Sequence, residues 1–294
     1  ASLPFPARPS APSAPKRARI ALLGASGYSG QEFARLVAGH PGLSLSFLVS
    51  RETANGASLL TGIDDRHGTV PPVITPEALP GHIEDFDTLV ACLPHGAFQT
   101  LLREHPDLAT SPDRIIDLSA DRRDGADGFV YGLPESFRDE IAEATRIANP
   151  GCYPTAATLA LLPALENDWV ADPIMISALS GVSGAGRTAS LGTSFVELDG
   201  GASLYKAGTT HSHIGEMERT FGRLGGTSFR VGFAPNLVPM TRGILLTATA
   251  PLARHVSPAA MRAAYEERYA RETFVRLLPE GTWPSTREVN GSNR

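Results

Sequence analysis

Short apolar runs that alternate with amphipathic stretches organise the first half of the chain. Arg19-Ile20-Ala21-Leu22-Leu23 reads as a strand; it meets a glycine-rich turn, and Phe33, Leu36 and Val37 then recur at helical spacing. Further runs at Leu45–Val49, Thr88–Leu93 and Arg114–Leu118 alternate with segments that can be helical, notably Ala97–Arg103. That alternation predicts a parallel sheet covered by helices. The texture changes after about residue 150. A helix near Pro154–Leu165 is followed by strand-like runs at Ile174–Leu179, Phe229–Phe233 and Ile244–Ala250, which predict a mixed sheet with covering helices. Ser257-Pro258 places a capping hydroxyl before a proline and opens a helix through about Tyr269. No internal repeat is visible.

The 294 residues exceed the usual single-domain size, so two cores are expected. The division predicted is a flexible tail over 1–15, a nucleotide-binding domain over 16–150 and a catalytic and oligomerisation domain over 151–294. The tail is Pro-, Ser- and Ala-rich, and Pro4, Pro6, Pro9, Pro12 and Pro15 oppose the amphipathic helix of a targeting peptide. With 42% hydrophobic and 19% charged residues and a formal net charge of -5, the chain reads as an ordinary soluble protein. General affinity for nucleic acid or an anionic membrane is not expected, and a small-molecule ligand is. The longest apolar stretch, near Leu159–Leu165, is interrupted by Pro163 and falls short of the ~18 residues of a membrane helix. Cys92 and Cys152 are too few for a disulfide scaffold and suit a reducing compartment, the cytoplasm by default.

Lysine occurs only at Lys16 and Lys206, which excludes a Walker loop and the Tyr-x-x-x-Lys pair of short-chain dehydrogenases. Gly24-Ala25-Ser26-Gly27-Tyr28-Ser29-Gly30 joins a strand to a helix, where backbone must approach a phosphate and a helix N-terminus favours an anion. Gly24, Ser26, Gly27, Tyr28, Ser29 and Gly30 are therefore candidate dinucleotide contacts, although such a loop also arises as a plain turn. An NAD site places Asp or Glu about twenty residues on. This chain has Ser50-Arg51, and an arginine there pairs with a 2′-phosphate, so NADP(H) is the expected cofactor. The alternative is a solvated Arg51 beside Glu52. Pro94, His95 and Gly96 close another strand at the cofactor crevice, where His95 could equally be a cap.

Asn149-Pro150-Gly151-Cys152-Tyr153-Pro154-Thr155 sets a cysteine between a glycine turn and a proline that can open a helix. The dipole and free amides of the helix start favour a thiolate, the form that attacks an acyl carbon. Cys92, inside an apolar strand, reads as core, and packing is the blander alternative for Cys152 as well. His211-Ser212-His213, with Glu216 close behind, supplies candidate proton-transfer groups. Metal ligation by this cluster is the weaker alternative, and no metal is expected.

The glycine loop, Leu118-Ser119-Ala120-Asp121-Arg122, Tyr131-Gly132-Leu133-Pro134-Glu135, Asn149 to Thr155, Ser180-Gly181-Val182-Ser183-Gly184-Ala185-Gly186-Arg187 and Val238-Pro239-Met240-Thr241-Arg242-Gly243-Ile244 together resemble the N-acetyl-gamma-glutamyl-phosphate reductases, in order and over residues 19 to 294. The resemblance implies an α/β fold: a Rossmann-type parallel sheet domain plus a glyceraldehyde-phosphate-dehydrogenase-like α+β catalytic domain. It also implies NADPH, a homo-oligomer (dimer or tetramer) and a role in arginine biosynthesis. Cys152 would attack the gamma-acyl phosphate, phosphate would leave, and the thioester would be reduced to N-acetylglutamate semialdehyde. The same resemblance makes His211 the general acid and base, with His213 and Glu216 as further candidates. Arg122 would bind phosphate, Arg187 and Lys206 would meet substrate charge, and Ser183 and Gly184 would border the cofactor.

This chain departs from the family at Ser212, where His-Arg-His is common, and at Asn236, where His is common. The family also continues past Asn290-Gly291-Ser292-Asn293 with a strand and a long helix that packs on the nucleotide domain, whereas this sequence stops at Arg294. If that element is absent, weaker NADP binding and exposed apolar surface on the first domain are expected. Rival readings are a reductase for aspartyl phosphate or for a carrier-linked aminoadipyl or glutamyl phosphate, and a non-catalytic NADP-binding regulator in which Cys152 only packs.

Overall fold

The computed structural model describes residues 17–51, 71–188, 190–208 and 210–294. The Pro-rich stretch 1–15, Lys16 and Glu52 lie outside the described residues.

β1 (Ala18–Leu23) is apolar on both faces because both faces are covered. Ile20 and Leu22 pack under α1 (Tyr28–Ala38) through Ala34 and Val37, together with Leu48 of β2 (Leu43–Val49). Ala21 and Leu23 join the opposite core. That core also takes Leu89 and Ala91 of β4 (Thr88–Ala91), Phe98 and Leu101 of α2 (Ala97–Glu104) and Leu108 of α3 (Asp107–Thr110). With β3 (Val73–Ile74), β5 (Arg114–Asp117), β6 (Val130–Tyr131) and β7 (Arg146–Ala148), these strands form a seven-stranded sheet in the order β3-β2-β1-β4-β5-β7-β6. Every pairing in it is parallel. The strand order reverses between β1 and β4, so the crevice beyond their carboxyl ends is where such a sheet receives a ligand. The strands stand as the apolar runs predicted, whereas β3, β6 and β7, of two or three residues each, and α4 (Pro134–Glu143) were not foreseen.

The second core packs α5 (Cys152–Glu166) and α7 (His213–Gly225) on one face of a smaller sheet; the short α6 (Phe195–Leu198) lies between these helices in sequence. Its strands are β8 (Ile174–Ser180), β9 (Ser203–Leu204), β10 (Val231–Leu237) and β11 (Ile244–Thr249), in the order β11-β8-β10-β9. β8 and β10 run parallel while β11 and β9 run antiparallel to their neighbours, which makes the sheet mixed as expected. Tyr153, Ala157, Met217, Phe221, Ile176 and Phe233 fill the space between helices and sheet. The far face of β8 carries Met175, Ser177 and Leu179 exposed, in strict alternation with buried Ile174, Ile176 and Ala178.

Pro163 lies inside α5 and cannot donate to the carbonyl four residues back, that of Leu159. Tyr269 of α8 (Pro258–Tyr269) donates its hydroxyl to that carbonyl at 2.5 Å, so the helix continues without an orphaned acceptor. α8 itself starts as predicted, with the Ser257 hydroxyl accepting from the Ala260 amide at 3.2 Å. Among the described residues no helix is long and apolar enough to cross a membrane.

Candidate functional site

The glycine loop leaves β1 and enters α1 across two close backbone approaches. A Cβ on Gly24, which has φ +75, would lie 2.3 Å from the Cys92 carbonyl oxygen, and one on Gly30 would lie 2.3 Å from the Gly24 carbonyl oxygen. Gly27 makes no such clash and serves as the N-cap of α1, whose first turn contains no acidic side chain. Backbone amides at Tyr28, Ser29 and Gly30 are therefore presented to the crevice at the positive end of the helix. At the tip of β2, Ser50 is buried and Arg51 is exposed, close enough to Glu77 to help hold its carboxyl below the usual range after the Glu77 amide and Thr75 have done so. At the tip of β4, Pro94 precedes His95, whose exposed ring contacts the Asp121 carboxylate. Asp121 also accepts from the Gly96 amide at 2.8 Å, which fixes this turn. His95 is thus a tethered, solvent-facing group beside the crevice, and Gly96 takes a left-handed conformation there.

Across the crevice, Ser183, Gly186, Arg187, Thr188, Thr241 and Arg242 from the second domain face Tyr28 around a cleft of about 320 Å³. The Arg187 guanidinium donates to the Ser26 carbonyl at 2.8 Å and Arg242 pairs with Glu32 of α1 at 2.7 Å. Arg187, expected near substrate charge, is therefore engaged with the glycine loop. Gly184 lies in the same turn, Val182–Ala185.

Cys152 is the first residue of α5, two residues earlier than the pattern predicted, and Gly151 is its N-cap. The turn is tied down by Glu216, which is 4% exposed. Its carboxylate accepts from the Gly151 amide at 2.7 Å, from the Tyr131 hydroxyl at 2.8 Å and from Arg123 at 3.1 Å. Arg123 also donates to the Asn149 carbonyl at 2.8 Å and the Leu118 carbonyl at 3.2 Å. A side chain at 151 is excluded, since its Cβ would lie 2.7 Å from His213 Nε2 and 2.9 Å from both Arg123 Nη1 and Glu216 Oε2. Asn149-Pro150-Gly151 is thus the crossing from β7 to α5, clamped by one arginine of the first domain and one glutamate of the second.

The helix start alone predicts a thiolate at Cys152, and the balance in the free protein goes the other way. As a residue Cys152 is exposed, yet loss of water around its sulfur pushes the thiol up. Amides of Tyr153 and Cys152 and the charge of Arg123 pull it down without prevailing, and Glu216 adds to the rise. Cys92 behaves as the core residue expected, pushed up to about 12 by burial and by Asp117.

His211 and His213 pack edge-on against the Tyr153 ring, at 5.7 and 5.8 Å between centroids. The His213 backbone amide donates to His211 Nδ1 at 3.1 Å, so neutral His211 carries its proton on Nε2. Burial and then the charge of Lys206 hold His211 below its usual value. His213 is driven down to about 3 by burial, His211 and Arg123, and its buried Nδ1 has no partner among the described residues. Lys206 is exposed and acts on His211 through space. Among the described residues no group of His, Cys, Asp and Glu converges as a metal site requires, since Glu216 faces Gly151, Tyr131 and Arg123.

Arg122 stands elsewhere than the resemblance suggests. It is 5% exposed, bonded to Asp117 and Asp127, with its guanidinium carbon 5.6 and 5.1 Å from the Phe98 and Phe129 ring centroids. The arginine beside the cysteine turn is its neighbour, Arg123.

Comparison with known proteins agrees with this geometry. The chain is 40% identical over 288 residues to the N-acetyl-gamma-glutamyl-phosphate reductase of Arthrobacter sp. (strain FB24), covering 92% of this chain and 81% of that protein. The enzymes of the same name from Geotalea daltonii and Micrococcus luteus are 38% and 40% identical, each with 92% of this chain and 82% of the relative covered. The chain belongs to the N-acetyl-gamma-glutamyl-phosphate reductase family. Its two halves match the family models described as semialdehyde dehydrogenase, NAD binding domain, over residues 19–144, and semialdehyde dehydrogenase, dimerisation domain, over 152–294. As a member of this reductase family the chain is an oxidoreductase that uses a nicotinamide cofactor. Among solved structures, aspartate semialdehyde dehydrogenase II of Vibrio cholerae complexed with ASA superposes with a TM-score of 0.74 at 16% identity, over 94% of this chain and 86% of that one. Aspartate semialdehyde dehydrogenase with NADP from Candida albicans gives 0.62 at 14%, over 85% and 76%, so both share the fold.

Sequence reasoning overlooked Arg123, Tyr131 as the partner of Glu216, and the contact between the Tyr153 and Tyr205 hydroxyls. Arg123 and Glu216 lie 93 positions apart, and the only prior signal was that Tyr131 and Asn149 sat inside motifs already singled out.

Proposed function

We propose that this protein reduces N-acetyl-gamma-glutamyl phosphate to N-acetylglutamate 5-semialdehyde with NADPH, releasing phosphate by way of a thioester on Cys152, in arginine biosynthesis. The observation that carries the reading is the placement of Cys152 at the first position of α5, on a turn clamped by Glu216 and Arg123. Kinship with reductases of that name supplies the substrate.

The residues of the crevice fit a dinucleotide. Backbone crowding at Gly24 and Gly30 excludes side chains, and the free amides after Gly27 suit a pyrophosphate. Gly24, Ser26, Gly27, Tyr28, Ser29 and Gly30 would hold it, with Ser183 and Gly184 opposite and Pro94, His95 and Gly96 at the next strand. Ser50 and exposed Arg51 would meet the 2′-phosphate, which is the support for NADP(H) over NAD(H). When bound, the cofactor supplies a hydride to the acyl carbon.

The protein's own groups do the rest. As the Cys152 sulfur bonds to the acyl carbon, the carbon–oxygen bond to phosphate breaks, and the proton lost by the thiol matches the one the departing phosphate takes. His211 is the proposed acid and base: its Nε2–H donates a hydrogen bond to the departing phosphate, which takes up the thiol proton, so the imidazole is neutral before and after the step. Burial raises the free thiol, so in this reading its proton moves to the leaving phosphate as sulfur attacks. His213 and Glu216 position these groups, Lys206, whose charge is felt at His211, is the cation offered to substrate charge, and Arg187 is held by the glycine loop through the Ser26 carbonyl. The exposed face of β8, with Met175 and Leu179, supports a homo-oligomer built on the mixed sheet, and the free thiol suits the cytoplasm.

Protein mixed with acyl phosphate without NADPH, then quenched in acid and digested, should carry the acyl group on the peptide containing Cys152. Cys152→Ser should bind NADPH and not turn over. Proven turnover with no acyl adduct on that peptide would refute the mechanism.

A further inference from the structure

The side chains on an open sheet face indicate what covers it. The register of the mixed sheet puts Leu204, Asn236, Leu179 and Leu245 in one row across β9, β10, β8 and β11, on the face away from α5 and α7. The two rows beside it, through Ser177 and Met175, hold no Asp, Glu, Lys or Arg either, in a chain of which 19% is charged. An uncharged face offers nothing to a partner of opposite charge, whereas it complements a copy of itself turned about a two-fold axis.

The size of the face sets a second condition. Strands about 4.8 Å apart, with about 3.3 Å per residue along β8 and β10, make a footprint of roughly 400 Å². A stable interface takes roughly 800 Å² from each partner, so the face alone falls short even when side-chain relief is added. More apolar surface adjoins it in the chain. Residues 190–204 run into β9 at the edge of the face, and Leu191 and Phe195 are 76% exposed and Val196 82%. Buried Leu198 holds α6 in place, with Phe195 and Val196 turned to water. The end of this segment reaches the site. β9 has two residues, both exposed, paired to β10 through Asn236 and Leu237. Lys206 follows with φ +44, left-handed backbone that a residue other than glycine keeps only where its surroundings hold it. Beyond it the Gly208 amide donates to the Phe233 carbonyl at 3.1 Å, and His211 comes three residues later. A two-residue edge pairing is a weak hold on the first flank, and burying Leu204 with the segment before it strengthens that hold.

We propose that a second copy of this chain covers the far face of the mixed sheet, that residues 190–204 of each copy seat on the other, and that this seating holds Lys206 and His211 in their working places. The inference rests on the homo-oligomer reading above and deepens it, since the site is then incomplete in a lone chain. The glycine loop lies in the first domain and takes no part, so cofactor binding survives separation of the copies.

The test measures sedimentation velocity and specific activity on one dilution series, with NADPH binding followed by its fluorescence. Activity per chain should fall as the copies separate, while NADPH binding holds. The double variant Phe195→Ser, Val196→Ser should weaken association at least about 100-fold, because a two-fold interface counts each change twice, and raising its concentration should restore kcat. Leu179→Asp on the sheet face should separate the copies and abolish turnover with NADPH still bound. Trp283→Ser, at an exposed apolar residue outside this segment, should leave assembly and activity alone. A double variant that associates as tightly as wild type, or separated chains with wild-type kcat, would overturn the inference and leave the homo-oligomer standing. A wild-type chain that stays single at every concentration, its sheet face covered by something else, would remove the homo-oligomer and this inference with it.

Discussion

Glu216→Ala should damage stability and turnover together, because one buried carboxylate serves both. In the native site it accepts from the Gly151 amide at 2.7 Å, the Tyr131 hydroxyl at 2.8 Å and the Arg123 guanidinium at 3.1 Å. Truncation leaves an amide and a phenol without acceptors and a largely buried guanidinium without its counter-charge. Arg123 keeps the Asn149 and Leu118 carbonyls, so the loss falls short of a fully abandoned charge. Breaking a buried pair from one side costs about 3–5 kcal/mol, and the two neutral bonds overlap with that figure rather than add to it. For a chain of this size the melting temperature should drop by roughly 10 °C. Glu216→Gln keeps an oxygen for Gly151 and Tyr131 but turns an amide donor toward Arg123, so it should cost about half as much.

The kinetic arm follows from position. Gly151 precedes Cys152, the proposed nucleophile, and a displacement of about 1 Å in a reacting group costs on the order of 100-fold in rate. Calorimetry with the pure variants gives the first number, and kcat measured well below each variant's melting temperature gives the second. If Glu216→Ala melts within about 2 °C of wild type, the carboxylate does not clamp the turn; the expected shift is several times larger.

Three further outcomes are expected. Iodoacetamide labelling of Cys152 in the free protein should rise about tenfold per pH unit and show no plateau below pH 9.0, because burial raises the thiol above that reference; a plateau near neutrality would contradict the desolvation argument. Arg51→Ala should raise KM for NADPH about tenfold and leave KM for NADH unchanged, as loss of one charge-assisted phosphate contact requires; equal effects on both cofactors would remove Arg51 from the 2′-phosphate. Arg122→Ala should cost about 3 kcal/mol of stability, since it strands buried Asp117, while KM for the acyl phosphate stays put; a selective rise in that KM would restore the phosphate-binding role.

What could be read from the chain followed burial. Leu22 and Leu89 are covered on their own faces of a two-sided sheet, so the strands of the first domain left continuous apolar runs. In the mixed sheet β8 and β11 stand within one residue of their expected ends, whereas β10 runs from Val231 to Leu237 rather than from Phe229 to Phe233 and the two-residue β9 was not foreseen. α7 went unnoticed because Gly215 and Gly222 dilute its helical signal and because its polar face carries the chemistry that drew attention. The place of Cys152 at a helix start was legible from turn residues alone. Its protonation state was not, since the surrounding protein that desolvates the sulfur is assembled from distant segments. Arg122 and Arg123 show the same limit: two adjacent arginines, one folded onto Phe98, Phe129 and two aspartates, the other onto the cysteine turn, and nothing local distinguishes them.

The site is therefore a seam, and its parts belong to different cores. Arg123 comes from the parallel-sheet domain, Glu216 from a helix of the mixed-sheet domain, and the turn they hold is the crossing between the two. Arg187 and Arg242 repeat the arrangement at the glycine loop, each reaching from the second domain to a first-domain acceptor. A change at either contact alters how the cofactor crevice faces the sulfur before it alters any reacting group. Variants at Glu216 and Arg123 should accordingly lose rate in proportion to each other, and a double variant should lose little more than the worse single one, because both remove the same hold on Gly151.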